Sequence, residues 1–272
     1  MPEGPEVRIV AEQLDQWFAH EQLNSVERIG GRYLKNPVPG LSVFETTLPA
    51  TLTCVASKGK LIGFYFDNGW FLFSSLGMTG SWGEVKEKHS AVQFNFSNGS
   101  AFYTDPRRFG RLEFLYGSDA ADAKFDSLGP DLVSVALGID PAFRTSRFCD
   151  CFENSSKTIV EDLMNQKIVS GVGNYIKSEA LYRARISPWR QTSSLNTEEW
   201  KGLFTAIKQI MVESYKAGGA TLATYKHLDG STGGYSEKLK VYGKFFDPEK
   251  RLIQKETTKD GRTTWWVPEV QK

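Results

Sequence analysis

Two Asn-Gly pairs, each set between short runs rich in β-branched and aromatic residues, constrain the fold of this chain more than any other feature. Leu61 to Phe66 and Trp70 to Phe73 flank Asn68-Gly69, and Val92 to Phe96 and Ala101 to Thr104 flank Asn98-Gly99. Asn-Gly accepts the left-handed backbone of a tight turn, so each pair joins two antiparallel strands. With Thr51 to Ser57 as a further strand, two such hairpins imply an antiparallel sandwich. Ahead of it, residues 5–19 read as a helix: Pro5 suits a first helical position, and Val7, Val10, Leu14, Trp17 and Phe18 recur on one face. That apolar face needs a partner, and the β-rich stretch supplies one.

Near Gly129-Pro130 the pattern changes to helices: Ile159 to Gln166, Tyr175 to Ala184, and a long one from Glu198 to Lys216 carrying Trp200, Leu203, Phe204, Ile207, Ile210 and Met211. A length of 272 residues corresponds to two domains at roughly 150 residues each, with the boundary around residues 130–145. Residues 217–243 hold Gly218-Gly219 and Gly230-Ser231-Thr232-Gly233-Gly234, a flexible loop longer than a compact domain needs for a connection. The last segment reads as a hairpin, Leu252 to Thr257 and Thr263 to Val267, turning through Asp260-Gly261. Internal repeats and low-complexity tracts are absent from the sequence.

Composition narrows the class. A hydrophobic fraction of 40% with 18 Phe, 10 Tyr and 7 Trp excludes disorder and coiled coil. The three Cys (Cys54, Cys149, Cys151) are too few for a disulfide framework or a four-Cys zinc site, which points to reduced thiols and an intracellular protein. Cys149 and Cys151, on a helix-like stretch, read as packing residues rather than a redox pair. The start lacks a basic region followed by an apolar core, and no run of about 18 apolar residues occurs, so secretion and membrane spanning are poor readings. Net charge is +1, yet residues 221–272 carry 10 Lys/Arg against 7 Asp/Glu, allowing a basic surface near the C-terminus.

Five places carry chemistry. Pro2 offers a free secondary amine if Met1 is removed; an α-amino group titrates near pH 8, so part of it is unprotonated at neutrality and can attack an electrophilic carbon to form an iminium. Glu3 beside it supplies a carboxyl for proton transfer. The alternative is an ordinary exposed terminus. Gly171-Val172-Gly173-Asn174 leads into a helix, where backbone N–H groups and the Asn174 amide suit a phosphate; the alternative is a tight turn between packed helices. Asp105-Pro106-Arg107-Arg108-Phe109-Gly110 reads as an exposed loop able to wedge into a base stack, with Met78 as a second apolar filler, or as a surface Arg pair beside a core Phe. Lys58-Gly59-Lys60 and Gly261-Arg262 are phosphate contacts or solvated turns.

Taken in order, Pro2-Glu3-Gly4-Pro5-Glu6, Lys60 in a hairpin, Leu76-Gly77-Met78-Thr79-Gly80, Asp105 to Gly110, Leu128-Gly129-Pro130, Gly171 to Asn174 and Gly261-Arg262-Thr263-Thr264 resemble the Fpg/Nei DNA glycosylases over nearly the whole chain. The resemblance implies an α+β fold: an N-terminal helix with an antiparallel β-sandwich (2–130), a helix-two-turn-helix DNA-binding domain (131–240) and a finger hairpin (241–272), with DNA in the cleft between the domains. It implies Pro2 as the nucleophile at C1′ of a damaged nucleoside, Glu3 as proton shuttle, Lys60 at the phosphate beside the lesion and Glu6 in support. Asn174, Arg262 and Tyr242 would grip DNA, and Met78, Arg107 and Phe109 would fill the void left by the extruded base. The iminium acidifies the 2′ proton, so β- and then δ-elimination follow base loss. Damaged double-stranded DNA is the expected partner, with single-stranded or bubble DNA a further one, for a monomer without cofactor or metal.

The resemblance also has departures. Every Cys lies at or before Cys151, so a four-Cys zinc finger cannot form; the tail 261–269 is similar to the zincless finger of plant Fpg and vertebrate endonuclease VIII-like enzymes. Val160-Glu161 replaces the Lys-Pro of Fpg, Gly4 is the Nei form, and Ser75 stands where bacterial Fpg has a His. Oxidised pyrimidines and hydantoins are therefore the expected substrates, with 8-oxoguanine secondary. The rival readings are a non-cutting damaged-DNA binder of the same fold and a protein-interaction module without nucleic acid. Retention of Met1, which would lock the Pro2 nitrogen in a peptide bond, favours the first; lack of salt-dependent DNA affinity favours the second.

Overall fold

The computed structural model describes residues 2–222, 226–259 and 261–272. They form two compact units: one of Pro2, Glu6–Ser127 and Gly218–Gly234, the other of Glu3–Pro5, Leu128–Ala217 and Tyr235–Lys272.

In the first unit, helix α1 (Gly4–Phe18) turns Val7, Val10, Leu14 and Phe18 into the core and leaves Trp17 partly buried. Eight strands follow: β1 (Gln22–Arg28), β2 (Ala50–Lys58), β3 (Leu61–Phe66), β4 (Trp70–Ser75), β5 (Ser81–Gly83), β6 (Ser90–Phe96), β7 (Gly99–Thr104) and β8 (Arg111–Tyr116). Their order is β5-β7-β6-β1-β2-β3-β4-β8, antiparallel throughout. β1 and β2 share only two residue pairs, and a bulge at Leu52/Cys54 bends β2, so the ribbon doubles over on itself. Contacts between its halves prove the sandwich: the Trp82 ring packs at a tilt of 48° with its centroid 5.1 Å from that of Phe64 and donates to Ser74 Oγ at 3.1 Å, and Tyr103 OH donates to the Ser75 carbonyl at 3.2 Å. Asn68-Gly69 sits in the first hairpin turn, with Gly69 at φ 80°, whereas in the second Phe96 pairs with Gly99, so Ser97-Asn98 makes the turn and Gly99 opens β7. The short helix α2 (Leu41–Phe44) plugs one side of the core through Phe44, stacked on Phe114 at 4.5 Å and against Phe66 at 5.0 Å. Helix α3 (Ser118–Asp126) ends the unit's main segment.

The second unit is helical: α4 (Leu132–Ala136), α5 (Thr145–Asp150), α6 (Ile159–Asp162), α7 (Asn174–Arg183) and α8 (Thr197–Lys216), then the hairpin β9 (Gln254–Thr257) and β10 (Thr263–Trp266). Helix α6 is shorter than the run Ile159 to Gln166 suggests. At Met164 and Asn165 the bonds tighten to three-residue spacing, and the Gln166 side chain folds back, donating to Val172 O at 2.9 Å and accepting from Gly171 N at 3.1 Å, which wraps a turn where a helix would have continued. The hairpin stands on an apolar cluster of Tyr182, Val241, Ile253 and Val267, with Trp265 and Val270 packed against it. Asp260, half of its expected Asp-Gly turn, lies outside the described residues.

The units divide the chain differently from the sequence reading. The change comes at Ser127/Leu128, before residues 130–145, because Gly129 N donates to Gln166 O and Ser170 N to Pro130 O, which commits Leu128-Gly129-Pro130 to the helical unit. The described residues of 218–234 pack with the sandwich: Leu228 is buried in its core, Gln13 holds Leu228 N and His227, and Glu6 accepts the Ala220 N–H. Residues 241–272 share a unit with the helices and do not stand apart.

Four carboxyls of the second unit are lowered: Glu213 by the Arg183 guanidinium, Glu199 by Arg190, Glu161 by the Thr158 hydroxyl and N–H, and Asp247, despite burial pushing it upward, by Arg251 and the Tyr182 hydroxyl. A carboxyl lowered by folding stabilises the fold above its unfolded value, about 4, and that contribution is lost as pH falls through the folded value. Acidification below about pH 4 is thus expected to open this unit, read as faster amide exchange in peptides from α7 and α8. In E213Q the acid dependence should be shallower; an unchanged profile would refute the assignment.

Candidate active site

Glu3 is only 2% exposed, and its carboxylate lies at the start of α7, where Oε1 accepts the Tyr175 N–H at 2.8 Å and Oε2 the Ile176 N–H at 3.2 Å. These are among the N–H groups that a helix leaves without internal partners, at its positive end, so they suit a carboxylate and hold it in one orientation. Gly173 makes the fit possible. A Cβ there would stand 2.1 Å from Glu3 Cδ and 2.5 Å from Oε1. Gly171, at φ 96°, and Gly4 close the other side: Gly4 N donates to Gly171 O at 2.9 Å, and a Cβ on Gly4 would meet Val133 Cγ2 at 2.4 Å. The glycines read from the sequence as a phosphate cradle thus admit a carboxylate of the same chain. Two of the N–H groups assigned to phosphate are occupied by Glu3.

Asn174 also departs from the simple reading. Its Nδ2 donates to Thr263 O at 2.9 Å, tying α7 to β10 directly after Arg262. Tyr242 joins this cluster: burial and then the nearby Glu3 charge push its hydroxyl up, opposed by a hydrogen bond from Asn174. Its ring packs 4.4 Å from Trp265.

Two charged residues escaped the sequence reading. Glu179, fully buried, accepts the backbone N–H groups of Lys240, Val241 and Tyr242 at 2.8 to 3.0 Å, fixing the strap that carries Tyr242. Lys177, also fully buried, donates to Thr264 Oγ1 at 3.0 Å and so adds a second tie between α7 and β10. The sequence held no signal for them: it is in the folded helix that every residue from Tyr175 to Tyr182 is buried, charges included.

In the first unit, Pro2 is buried and precedes Glu3 directly. Lys60, half-buried, occupies the second position of the two-residue turn between β2 and β3, with Gly59 at φ 58° taking the first, as a type II′ hairpin requires. The Glu6 carboxylate, fully buried, accepts Ala220 N at 2.8 Å, so it anchors the start of the 218–234 segment to α1.

The three expected void-fillers lie on two abutting loops. Met78 is 41% exposed and Phe109 55%, and the Arg107 guanidinium stacks 4.9 Å from the Phe109 ring. Buried Asp105 locks the loops together, accepting Thr79 Oγ1 at 2.9 Å and Gly110 N at 2.7 Å, while Arg107 N donates to Thr79 Oγ1. Gly77, at φ 58°, lets the first loop touch the second; a Cβ there would lie 2.7 Å from Gly110 N.

Burial raises the thiols of Cys149 and Cys151, and Cys151 donates to the Arg147 carbonyl, so neither is a reactive thiolate. Among the described residues no group of three or more His, Cys, Asp or Glu is placed to hold a metal ion, and no helix is long and apolar enough to cross a membrane.

Family models agree with this arrangement. Residues 1–112 match the formamidopyrimidine-DNA glycosylase N-terminal domain and residues 132–226 the formamidopyrimidine-DNA glycosylase H2TH domain. The chain belongs to the formamidopyrimidine-DNA glycosylase family. A family member from Thermus thermophilus, named formamidopyrimidine-DNA glycosylase, is 31% identical, the match covering 100% of this chain and 98% of the relative. Among solved family structures, a Lactococcus lactis Fpg variant in complex with Fapy-dG-containing DNA superposes with a TM-score of 0.87 at 28% identity, covering 100% of both chains. The wild-type Lactococcus lactis Fpg (MutM) with oxidised-pyrimidine-containing DNA gives 0.84 at 26% identity, again over 100% of both.

Proposed function

We propose that this chain is a DNA glycosylase of base excision repair with an associated AP lyase activity, working through a Schiff base at Pro2. The observation that carries the reading is the Glu3 carboxylate, buried and gripped by two N–H groups one residue from that amine.

The neutral Pro2 nitrogen attacks C1′ of the damaged nucleoside, the glycosidic bond breaks, and the base leaves with its bonding pair and takes up a proton. The attacking nitrogen, now an ammonium, gives its N–H proton to the Glu3 carboxylate, which passes it to the ring oxygen as the sugar opens, and the freed nitrogen lone pair forms the iminium. Each carboxylate oxygen has two lone pairs, so an N–H bond to α7 leaves capacity for this shuttle. The iminium then acidifies the 2′ proton; its removal expels the 3′ phosphate, and a second elimination expels the 5′ phosphate. Lys60 holds the adjacent phosphate, Asn174, Arg262 and Tyr242 grip the backbone, and Met78, Arg107 and Phe109 occupy the space of the extruded base.

The relatives bound to Fapy-dG DNA and to oxidised-pyrimidine DNA support a pocket open to both base classes. Oxidised pyrimidines, ring-opened purines and hydantoins are the favoured substrates, 8-oxoguanine secondary. Single-turnover excision on matched duplexes tests this, and a much faster 8-oxoguanine reaction would overturn it. The finger is of the zincless kind: no Cys follows Cys151, and the cluster of Tyr182, Val241, Ile253 and Val267 takes the supporting role. Chelator treatment should therefore leave excision rate and melting temperature unchanged, whereas activity lost to chelator and restored by zinc would refute it.

A further inference from the structure

Leu61 pairs with Ser75 and Ser75 with Arg111, forming one row across β3, β4 and β8. From this end of the half-sheet three functional segments leave: Gly59-Lys60 precedes Leu61, the Met78 loop follows Ser75, and the Arg107–Phe109 loop precedes Arg111. Here lies a cavity of about 530 Å³ whose lining includes Arg32, Asn36, Ser75, Arg111, Glu113 and Lys124.

Pairing decides its charge. Among the described residues Glu113 is the one acidic side chain of the lining, and Lys124 forms an ion pair with it, so those two cancel. The Arg32 guanidinium donates to the carbonyls of Arg108 at 3.1 Å and Gly110 at 2.5 Å and to Tyr33 OH at 2.9 Å, none of which neutralises it. Arg111 is exposed, and its side chain makes no hydrogen bond or ion pair among the described residues. Two uncompensated guanidinium groups therefore share one concavity, one of them holding the wedge loop by its carbonyls and the other keeping its planar fork of donors available. A guanidinium in this state matches a phosphate, to which it donates in pairs.

We propose that this cavity is a second phosphodiester site, in which Arg111 donates to a backbone phosphate of the DNA and Arg32 adds charge while securing the wedge loop. The proposal rests on the DNA glycosylase reading above and adds to it a grip belonging to the sandwich unit itself. Its position between the Lys60 turn and the wedge leaves two sources for the phosphate: the strand carrying the lesion, or the strand opposite. The chemistry is the same and the experiment separates them.

The full chain is titrated with a duplex carrying a tetrahydrofuran abasic analogue at a series of salt concentrations, for the unaltered protein, R111Q and R111K. Each phosphate neutralised contributes about 0.9 to the slope of log affinity on log salt, so R111Q should flatten the slope by about 0.9 and weaken binding about eightfold near 0.1 M salt. R111K should keep the slope while recovering only part of the affinity, since the charge remains but the paired donors do not. Arg111 is exposed, so equal melting temperatures of R111Q and the parent are expected. Neutral methylphosphonates are then placed singly along each strand. At one position the parent should lose what R111Q has lost and R111Q should lose nothing more, and the strand bearing that position identifies the source. An unchanged slope in R111Q beside a steep slope in the parent, or additive losses at every methylphosphonate, overturns this site alone. A parent protein with no salt-dependent affinity for the duplex overturns the DNA reading on which it rests.

Discussion

A preparation that retains Met1 is expected to give no covalent product when incubated with abasic DNA and borohydride, whereas the processed protein gives an adduct that maps to Pro2. Borohydride reduces and so traps an imine or iminium, and only an amine of the protein can form one with the sugar aldehyde. In a Met1-Pro2 peptide bond the proline nitrogen is a tertiary amide whose lone pair is delocalised into the carbonyl, and it has no nucleophilicity left to lose. Strand cleavage should fall by about 10⁴-fold or more, the scale on which removal of a nucleophile acts. DNA affinity should change far less, because the contacts expected of Asn174, Arg262 and Lys60 do not involve that nitrogen. An adduct of undiminished yield on another amine, such as the Lys60 ammonium, would reject Pro2 as the nucleophile. Binding without any adduct from a correctly processed terminus would favour the non-cutting damage binder.

The second large effect is expected at a residue with no functional group. In G173A the new methyl would overlap the Glu3 carboxyl, since a Cβ lies 2.1 Å from Cδ. The backbone at Gly173, φ −128° and ψ −160°, is one that alanine adopts freely, so the effect is collision with Glu3 and not strain in the turn. Glu3 cannot yield without giving up the Tyr175 and Ile176 N–H groups, which would then be buried without partners at about 1–3 kcal/mol each. Displacing a proton-transfer group by an ångström costs about 10²-fold in rate, and G173A should lose at least that in single-turnover excision while its melting temperature falls. E3Q separates the two contributions. It keeps the size of Glu3 but removes the charge and points an NH₂ at one backbone donor, so a rate loss of about 10²–10⁴-fold is expected with a smaller loss of stability than in G173A. Excision by G173A at the parent rate would show that Glu3 has no part in the chemistry.

How much of this was legible beforehand depended on the range of the interaction. Strand and helix positions followed from patterns of two and of three to four residues, and the hairpin glycines from backbone chirality, all local properties that a sequence displays directly. Strands β1, β5 and β8 and the short helices α2 to α4 were not read from the sequence, and α6 is shorter than its pattern suggests. Ile159 to Gln166 has a helical pattern, yet the Gln166 side chain engages Gly171 and Val172, a competing set of bonds that pattern alone does not reveal. The partition of residues 218–234 was missed for a similar reason. Its glycines read as a loop of the helical part, while Leu228 and Ala220 are claimed by the sandwich core and by Glu6.

By itself, the sequence determined the hairpins, the long helices, the order of the motifs and the absence of cysteine from the finger, because each depends on residue type at a fixed short spacing. Only the tertiary structure decided what those groups do to one another. It seated the Glu3 carboxylate on the Tyr175 and Ile176 N–H groups at the start of α7, placed the fully buried Lys177 and Glu179 as ties to the hairpin and to the Tyr242 strap, and left Arg111 exposed beside a cavity whose one carboxylate among the described residues is already paired. The physical reason is that a charge or an N–H group is completed by whichever partner folding brings within about 3 Å, and Glu3 and Tyr175 stand 172 residues apart in the chain.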